Sequence, residues 1–237
     1  MESAGHRVLL DTGSGPTLLP NARQAGADLS TLDALVLSHG HYDHTGGLVQ
    51  ALRLAPQARL YLHPGALVNR YSFKTGQPRS IGIPDAVREA VRGLPVERVR
   101  WTPTPTLLAP GVGLTGTIPR ATGYEDTGGS FYRDEAKRFP DPIDDDQALW
   151  LETPEGVVVV LGCAHAGVVN TLEAIRAHSG GQPFRAVLGG MHLETADETR
   201  LYRDEGCVVR GEVTEGGRIY TAYNSPAYMR DVFLKEV

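Results

Sequence analysis

The sequence predicts a single α/β domain spanning residues 1–237, and three observations predict it. Short apolar runs alternate with segments of helical period along most of the chain, the signature of strands interleaved with helices. The run VVVVL at 157–161 is apolar at every position, as in a strand covered on both faces. The 237 residues, 41% of them hydrophobic, can bury one sizeable core without dividing, and no internal repeat or low-complexity tract argues otherwise.

In chain order, VLL (8–10) and DALVL (33–37) read as strands separated by a helix and loop in TLLPNARQAGADLS. TGGLVQALRL has apolar Leu48, Val49, Leu52 and Leu54, which fits a short amphipathic helix before the strand ARLYLH (58–63). Residues 71–83, with Ser, Gly, Pro and Lys, read as a loop, and PDAVREAVRGL as a helix with Pro84 near its first turn. VERVRW and the Gly/Pro-punctuated stretch to IPR (118–120) read as strands and turns. Residues 121–146 form the longest loop-like segment, ending in the acidic DPIDDD and long enough to border an active site. QALWLET and VVVVLGC flank the turn PEG as a hairpin. HAGVVNTLEAIRAHSGG is then a helix closed by glycine, and FRAVLGG another buried strand. Beyond Met191 the character changes to a charged stretch, a hairpin in CVVRGEV-TEGG-RIYTAY and a short terminal helix.

The formal charge is −5 and no basic run occurs, which removes the electrostatic footprint of a nucleic-acid or anionic-membrane binder. A small-molecule or peptide substrate is the expected partner. No apolar stretch is long enough for a signal peptide or a membrane span, so the expected location is the cytoplasm. The two cysteines, Cys163 and Cys207, lie far apart, and a disulfide framework is not expected.

The chemistry concentrates in LSHGHYDHTGGL (37–48), where a strand end is followed by His39, His41, Asp43 and His44. Alternate residues of an extended segment point the same way, so His39 and His41 can converge on one ion while Asp43 and His44 address a second position. Imidazole and carboxylate at this density suit Zn²⁺, and two such ions a few Å apart would activate a bridging water. The competing reading, solvated loop histidines, rarely packs imidazoles so densely.

This HxHxDH pattern resembles the signature of the metallo-β-lactamase superfamily. DTG (11–13), IPR (118–120), DPIDDDQAL (141–149), LGCAHAGVVNTL (161–172) and LGGMHL (188–193) resemble the branch named for dihydropterin-ribofuranosylaminobenzene phosphate synthase. The resemblance covers about residues 7–193. It implies an αββα sandwich with the metal site at one edge between two sheets, and ligand roles for His165 and His192. Their competing reading is as hydrogen-bonded core histidines. On this basis His39, His41 and His165 are expected to hold one zinc, with Asp43, His44 and His192 around a second, for hydrolysis of a phosphoester, ester or lactone-type bond.

The chain departs from the branch at both ends. It starts almost at the DTG turn, without the usual first strand or strands, and nothing after Leu193 carries a histidine, which makes 194–237 an atypical C-terminal segment. An unpaired sheet edge is the expected consequence, resolved by a homodimer or by strand exchange through the C-terminal hairpin. A site short of ligands would hold one ion, a weak pair or none. That raises a second reading, a metal-independent cysteine hydrolase with Cys163 as nucleophile, a histidine as base and Asp43 or Asp11 as the orienting group. The catalytic candidates are therefore Asp43, Cys163 and His165, although a buried structural cysteine is the plainer account of Cys163. A third reading is a non-catalytic remnant that only binds. Asp144, Asp145 and Asp146 read by default as a solvated acidic loop, against the alternative that they border the cleft and select a positively charged group, and Tyr124, Phe131 and Tyr132 as residues that cover substrate or merely pack.

Overall fold

The computed structural model describes residues 1–3 and 5–193. Along the chain run β1 (Glu2–Ser3), β2 (His6–Leu10), α1 (Leu18–Gln24), β3 (Ala34–Val36), α2 (Tyr42–Thr45), α3 (Leu48–Leu54), β4 (Arg59–Leu62), β5 (Tyr71–Ser72), β6 (Arg79–Ser80), α4 (Asp85–Arg92), β7 (Val99–Trp101), β8 (Thr106–Ala109), β9 (Val112–Leu114), β10 (Phe131–Tyr132), β11 (Leu149–Thr153), β12 (Gly156–Val160), α5 (Val168–His178) and β13 (Phe184–Leu188).

These strands build two five-stranded sheets, in the orders β1-β2-β3-β4-β7 and β13-β12-β11-β9-β8. In the first, β2, β3, β4 and β7 are parallel. In the second, β8, β9, β11 and β12 are antiparallel to their neighbours and β13 lies parallel to β12.

The two-residue period of each strand sorts its side chains into layers. Ala34 and Val36 join Val8, Tyr61, Val112, Leu114 and Leu149 in the core between the sheets. Leu35, Leu60 and Leu62 face the other way, onto Leu48, Ala51 and Leu52 of α3 and Val87 and Val91 of α4. Trp150, Val157 and Val159 likewise face Val168, Leu172 and Ile175 of α5. The result is helix, sheet, sheet, helix, the αββα sandwich expected from the HxHxDH resemblance. Helix α4 shows why these segments coil: Asp85 sits in its first turn and Arg92 in its last, matching the dipole, while Val87 and Val91 stack one turn apart on the buried face.

Glu2 and Ser3 pair with Arg7 and His6, and the Met1 carbonyl accepts from Val8 N–H at 2.9 Å, so the two-residue β1 is the outermost strand of the first sheet. Two expectations change. Residues 71–83 are not a plain loop but contribute β5 and β6, which with β10 form a small three-stranded sheet. VERVRW is half 3-10 turn (Val96–Arg98) and half strand. The C-terminal hairpin and helix, the atypical segment 194–237, and Cys207 lie outside the described residues. Among the described residues no helix is long and apolar enough to cross a membrane.

The C-terminal ends of β2, β3, β12 and β13 open on one edge of the sandwich, and every candidate ligand follows one of them.

Candidate metal centre

Asp11, the first residue past β2, is the hub of this edge. It holds a left-handed backbone (φ 60°), a conformation that Asp tolerates better than most side chains. Its carboxylate accepts from Ser38 N–H at 2.8 Å, from the Ser38 hydroxyl at 2.7 Å and from His44 Nδ1 at 2.7 Å. Ala164 (φ 50°) and His192 (φ 48°) share that sparsely populated region, so three strand-end turns carrying site residues are strained.

The hydrogen bonds fix the tautomers. A carboxylate only accepts, so Ser38 donates its hydroxyl proton to Asp11 and its oxygen accepts from His39 Nδ1 at 2.9 Å. His39 Nε2 then bears a lone pair and lies 2.9 Å from His41 Nδ1, so with the His41 proton on Nε2 the two nitrogens face one position side by side. His165 Nδ1 donates to the Thr127 carbonyl at 2.7 Å, so its lone pair also lies on Nε2. The three rings crowd together, with centroids 4.5 to 4.9 Å apart. Burial first, then charge repulsion from neighbouring groups, holds all three well below the ordinary histidine value, so they are neutral and able to ligate.

His44 is different. Burial pulls it down, but the Asp11 carboxylate and then Cys163 outweigh that and push it up to about 11. Its Nε2 lies 3.1 Å from Cys163 Sγ. Burial pushes the Cys163 thiol up while His44 pulls it down, and burial wins. A thiolate would account for part of the His44 charge, yet the thiol is itself held protonated. The 2.7 Å bond to Asp11 is therefore the better explanation of the imidazolium.

His39, Cys163 and His165 offer ligand atoms that all lie within 4.8 Å of one another. His192 lies against His165 with centroids 4.4 Å apart. The edge thus brings together His39, His41, His44, His165, His192 and Cys163. Asp43 sits at the rim, its side chain 54% exposed and its carboxylate 3.9 Å from His44 Nε2. The Phe131 ring covers His41 and His165 at 5.4 and 5.5 Å, whereas Tyr132 packs on Phe73.

A metal ion fits this donor set. His41 Nε2 and His165 Nε2 are buried with no hydrogen-bond partner, and such atoms cost about 1–3 kcal/mol each when left unmade. That of His165 is the lone-pair nitrogen of a neutral imidazole, as a first-row ion requires.

The acidic loop departs from its default reading. Asp144 is exposed, but Asp145 and Asp146 are buried. Asp145 pairs with the buried Arg70 and accepts from Gly40 N–H at 2.8 Å. Asp146 accepts from Ala166 N–H at 2.7 Å, its other oxygen has no partner, and burial pushes its carboxyl up to about 7. Sequence reasoning missed these roles because a run of aspartates looks solvated. The available signal was apolar Ile143 inside the run, fully buried in the structure.

A four-layer sandwich with histidines gathered at the strand ends defines a class, and the comparison with known families agrees: the model of the metallo-β-lactamase superfamily matches residues 1–173, and the chain belongs to that superfamily. It is similar to 7,8-dihydropterin-6-methyl-4-(beta-D-ribofuranosyl)-aminobenzene-5'-phosphate synthase of Methanocaldococcus jannaschii, 28% identical over 205 residues that cover 82% of this chain and 68% of that one. A second protein of that organism, described as uncharacterized, is 28% identical over 86% of this chain and 74% of its own length. Among solved structures, Tm1679, a metal-dependent hydrolase of the beta-lactamase superfamily, superposes with a TM-score of 0.68 at 30% identity, covering 84% of this chain and 72% of that one.

Proposed function

We propose that the protein is a metal-dependent hydrolase of phosphoester, ester or lactone-type bonds, with Zn²⁺ as the ion the donors suit best. The observation that carries this reading is the pair of buried, partnerless Nε2 atoms of His41 and His165. His39, His41 and His165 would hold the ion, with Cys163 beside them and Asp43, His44 and His192 around a second position. Zinc in such a site supplies Lewis acidity and lowers the pKa of water.

The chain's own residues do the rest. Asp11 and Ser38 fix the tautomer of His39, and the Thr127 carbonyl fixes that of His165. Phe131 keeps water from one face of the imidazole cluster. His44, an imidazolium in the metal-free protein, would give up its proton on taking a second ion. Arg79 lies over the Tyr42 ring at 5.4 Å and donates to its hydroxyl at 2.9 Å, with no carboxylate partner among the described residues. Tyr42 adjoins His41, so this guanidinium supports a substrate with a phosphate or carboxylate group. The test is turnover of an ester, lactone and phosphodiester panel before and after chelation. Loss on chelation and recovery with zinc are expected, and full activity after exhaustive chelation sinks the reading.

One observation favours a second reading: Asp11, His44 and Cys163 form a continuous chain of contacts at 2.7 and 3.1 Å, the order of a cysteine triad. Against it, His44 already holds its proton and Cys163 is a thiol, so the base must first be emptied. Iodoacetamide inactivation that chelation does not alter would select this reading.

A further inference from the structure

We propose that Asp145, locked in place by Arg70, is a positioning residue that sets the His39–Gly40–His41 turn before any metal arrives; the inference rests on the metal reading above. Arg70 is the largest fully buried side chain of the described residues, and both its carboxylate partners are fully buried. Its Nε donates to Asp141 at 2.7 Å, and its Nη1 and Nη2 grip the two oxygens of Asp145 as a fork. The Asp145 oxygen that takes Nη1 at 3.0 Å also accepts from Gly40 N–H at 2.8 Å. A guanidinium, a carboxylate and the peptide between two ligand histidines are therefore one rigid unit.

The fit leaves no slack. A Cβ at Gly40 would collide with the Ala66 carbonyl and the Arg70 guanidinium. The next two residues extend the grip: Asp146 accepts from Ala166 N–H beside His165, and Gln147 donates to the Leu37 carbonyl at 2.8 Å. Three consecutive side chains thus tie the HGH segment to the CAH segment. Groups that orient ligands from outside the coordination shell typically carry 10–100-fold in metal affinity.

Asp141 provides the control. It is buried like Asp145 and paired with Arg70 through the single Nε bond, but its remaining contacts are to Ile143 N–H and Arg133. Asp145→Asn and Asp141→Asn each remove one buried charge, and only the first touches a ligand segment. Zinc affinity is measured by competition with a chromogenic chelator, together with the Co²⁺ absorption spectrum and Gly40 amide exchange in metal-free protein. Asp145→Asn is expected to weaken zinc by about 10–100-fold, alter the Co²⁺ spectrum and speed Gly40 exchange, while Asp141→Asn loses thermal stability with far less change in affinity. Equal affinity losses in the two variants, or wild-type affinity in Asp145→Asn, overturn the proposal. Should Asp145→Asn not fold, Arg70→Lys keeps the charge and loses the fork, and wild-type affinity there overturns it equally. Wild-type protein that takes up no metal overturns the proposed function, whereas unchanged Gly40 exchange overturns the clamp alone.

Discussion

Asp146→Asn converts a buried ionisable group into a neutral one of the same shape, and its effect can be worked from the structure. One carboxyl oxygen is held by Ala166 N–H at 2.7 Å, and an amide oxygen can accept that bond. The other is buried without a partner, and burial raises the carboxyl from the ordinary 3.8 to about 7. An acid whose folded value is raised gives stability that is intact below pH 3.8 and lost as pH climbs to about 7, since the unfolded chain ionises first. At 1.36 kcal/mol per unit the full loss is about 4 kcal/mol, of which about 2–3 kcal/mol falls between pH 5 and pH 8. Urea unfolding of metal-free wild type and variant at those two pH values reads it directly. The wild type should lose about 2–3 kcal/mol more than Asp146→Asn across the interval. Parallel pH dependences would refute the reasoning, because Asp146 would then ionise in the folded protein as it does in water.

Further predictions follow from the same edge. Asp11→Asn removes the partner that keeps His44 charged, so its cost in metal-free protein should be greatest below pH 6.5, at about 3–5 kcal/mol, and fade as pH rises toward 11; a loss independent of pH contradicts this. Cys163→Ala should weaken zinc binding yet retain turnover at saturating zinc, and complete inactivity at any zinc concentration would favour the cysteine reading. Arg79→Ala should raise KM about tenfold for an anionic substrate and leave a neutral ester unaffected, as loss of one charge-assisted contact requires; equal effects on both substrates remove the anion-anchoring role.

Most of the sandwich is legible because its strands carry their layer assignments in sequence. Leu35 between Ala34 and Val36, and Trp150 beside Leu149, alternate between helix-facing and sheet-facing cores as a two-residue period demands. The HGHYDH segment is legible for a similar reason, since ligand density within six residues is a local property. What sequence conceals is what depends on distant pairing. Arg70 and Asp145 are 75 positions apart, so neither the burial of the acidic turn nor its hold on Gly40 is visible before folding. His44 looks like a ligand by spacing, and its 2.7 Å bond to the Asp11 carboxylate, 33 positions away, is equally invisible before folding. Short β5 and β6 carry no periodicity to read, each being two residues long.

The central claim is that buried imidazole nitrogens at this sheet edge bind a metal, and elemental analysis of purified wild type beside His165→Ala tests it most directly. The expected result is at least one equivalent of zinc or a similar first-row ion per chain in the wild type, stripped by chelation and regained on addition, and a marked deficit in the variant. A folded wild type that takes up no metal under zinc saturation, or a His165→Ala protein that binds it as well, would contradict the account.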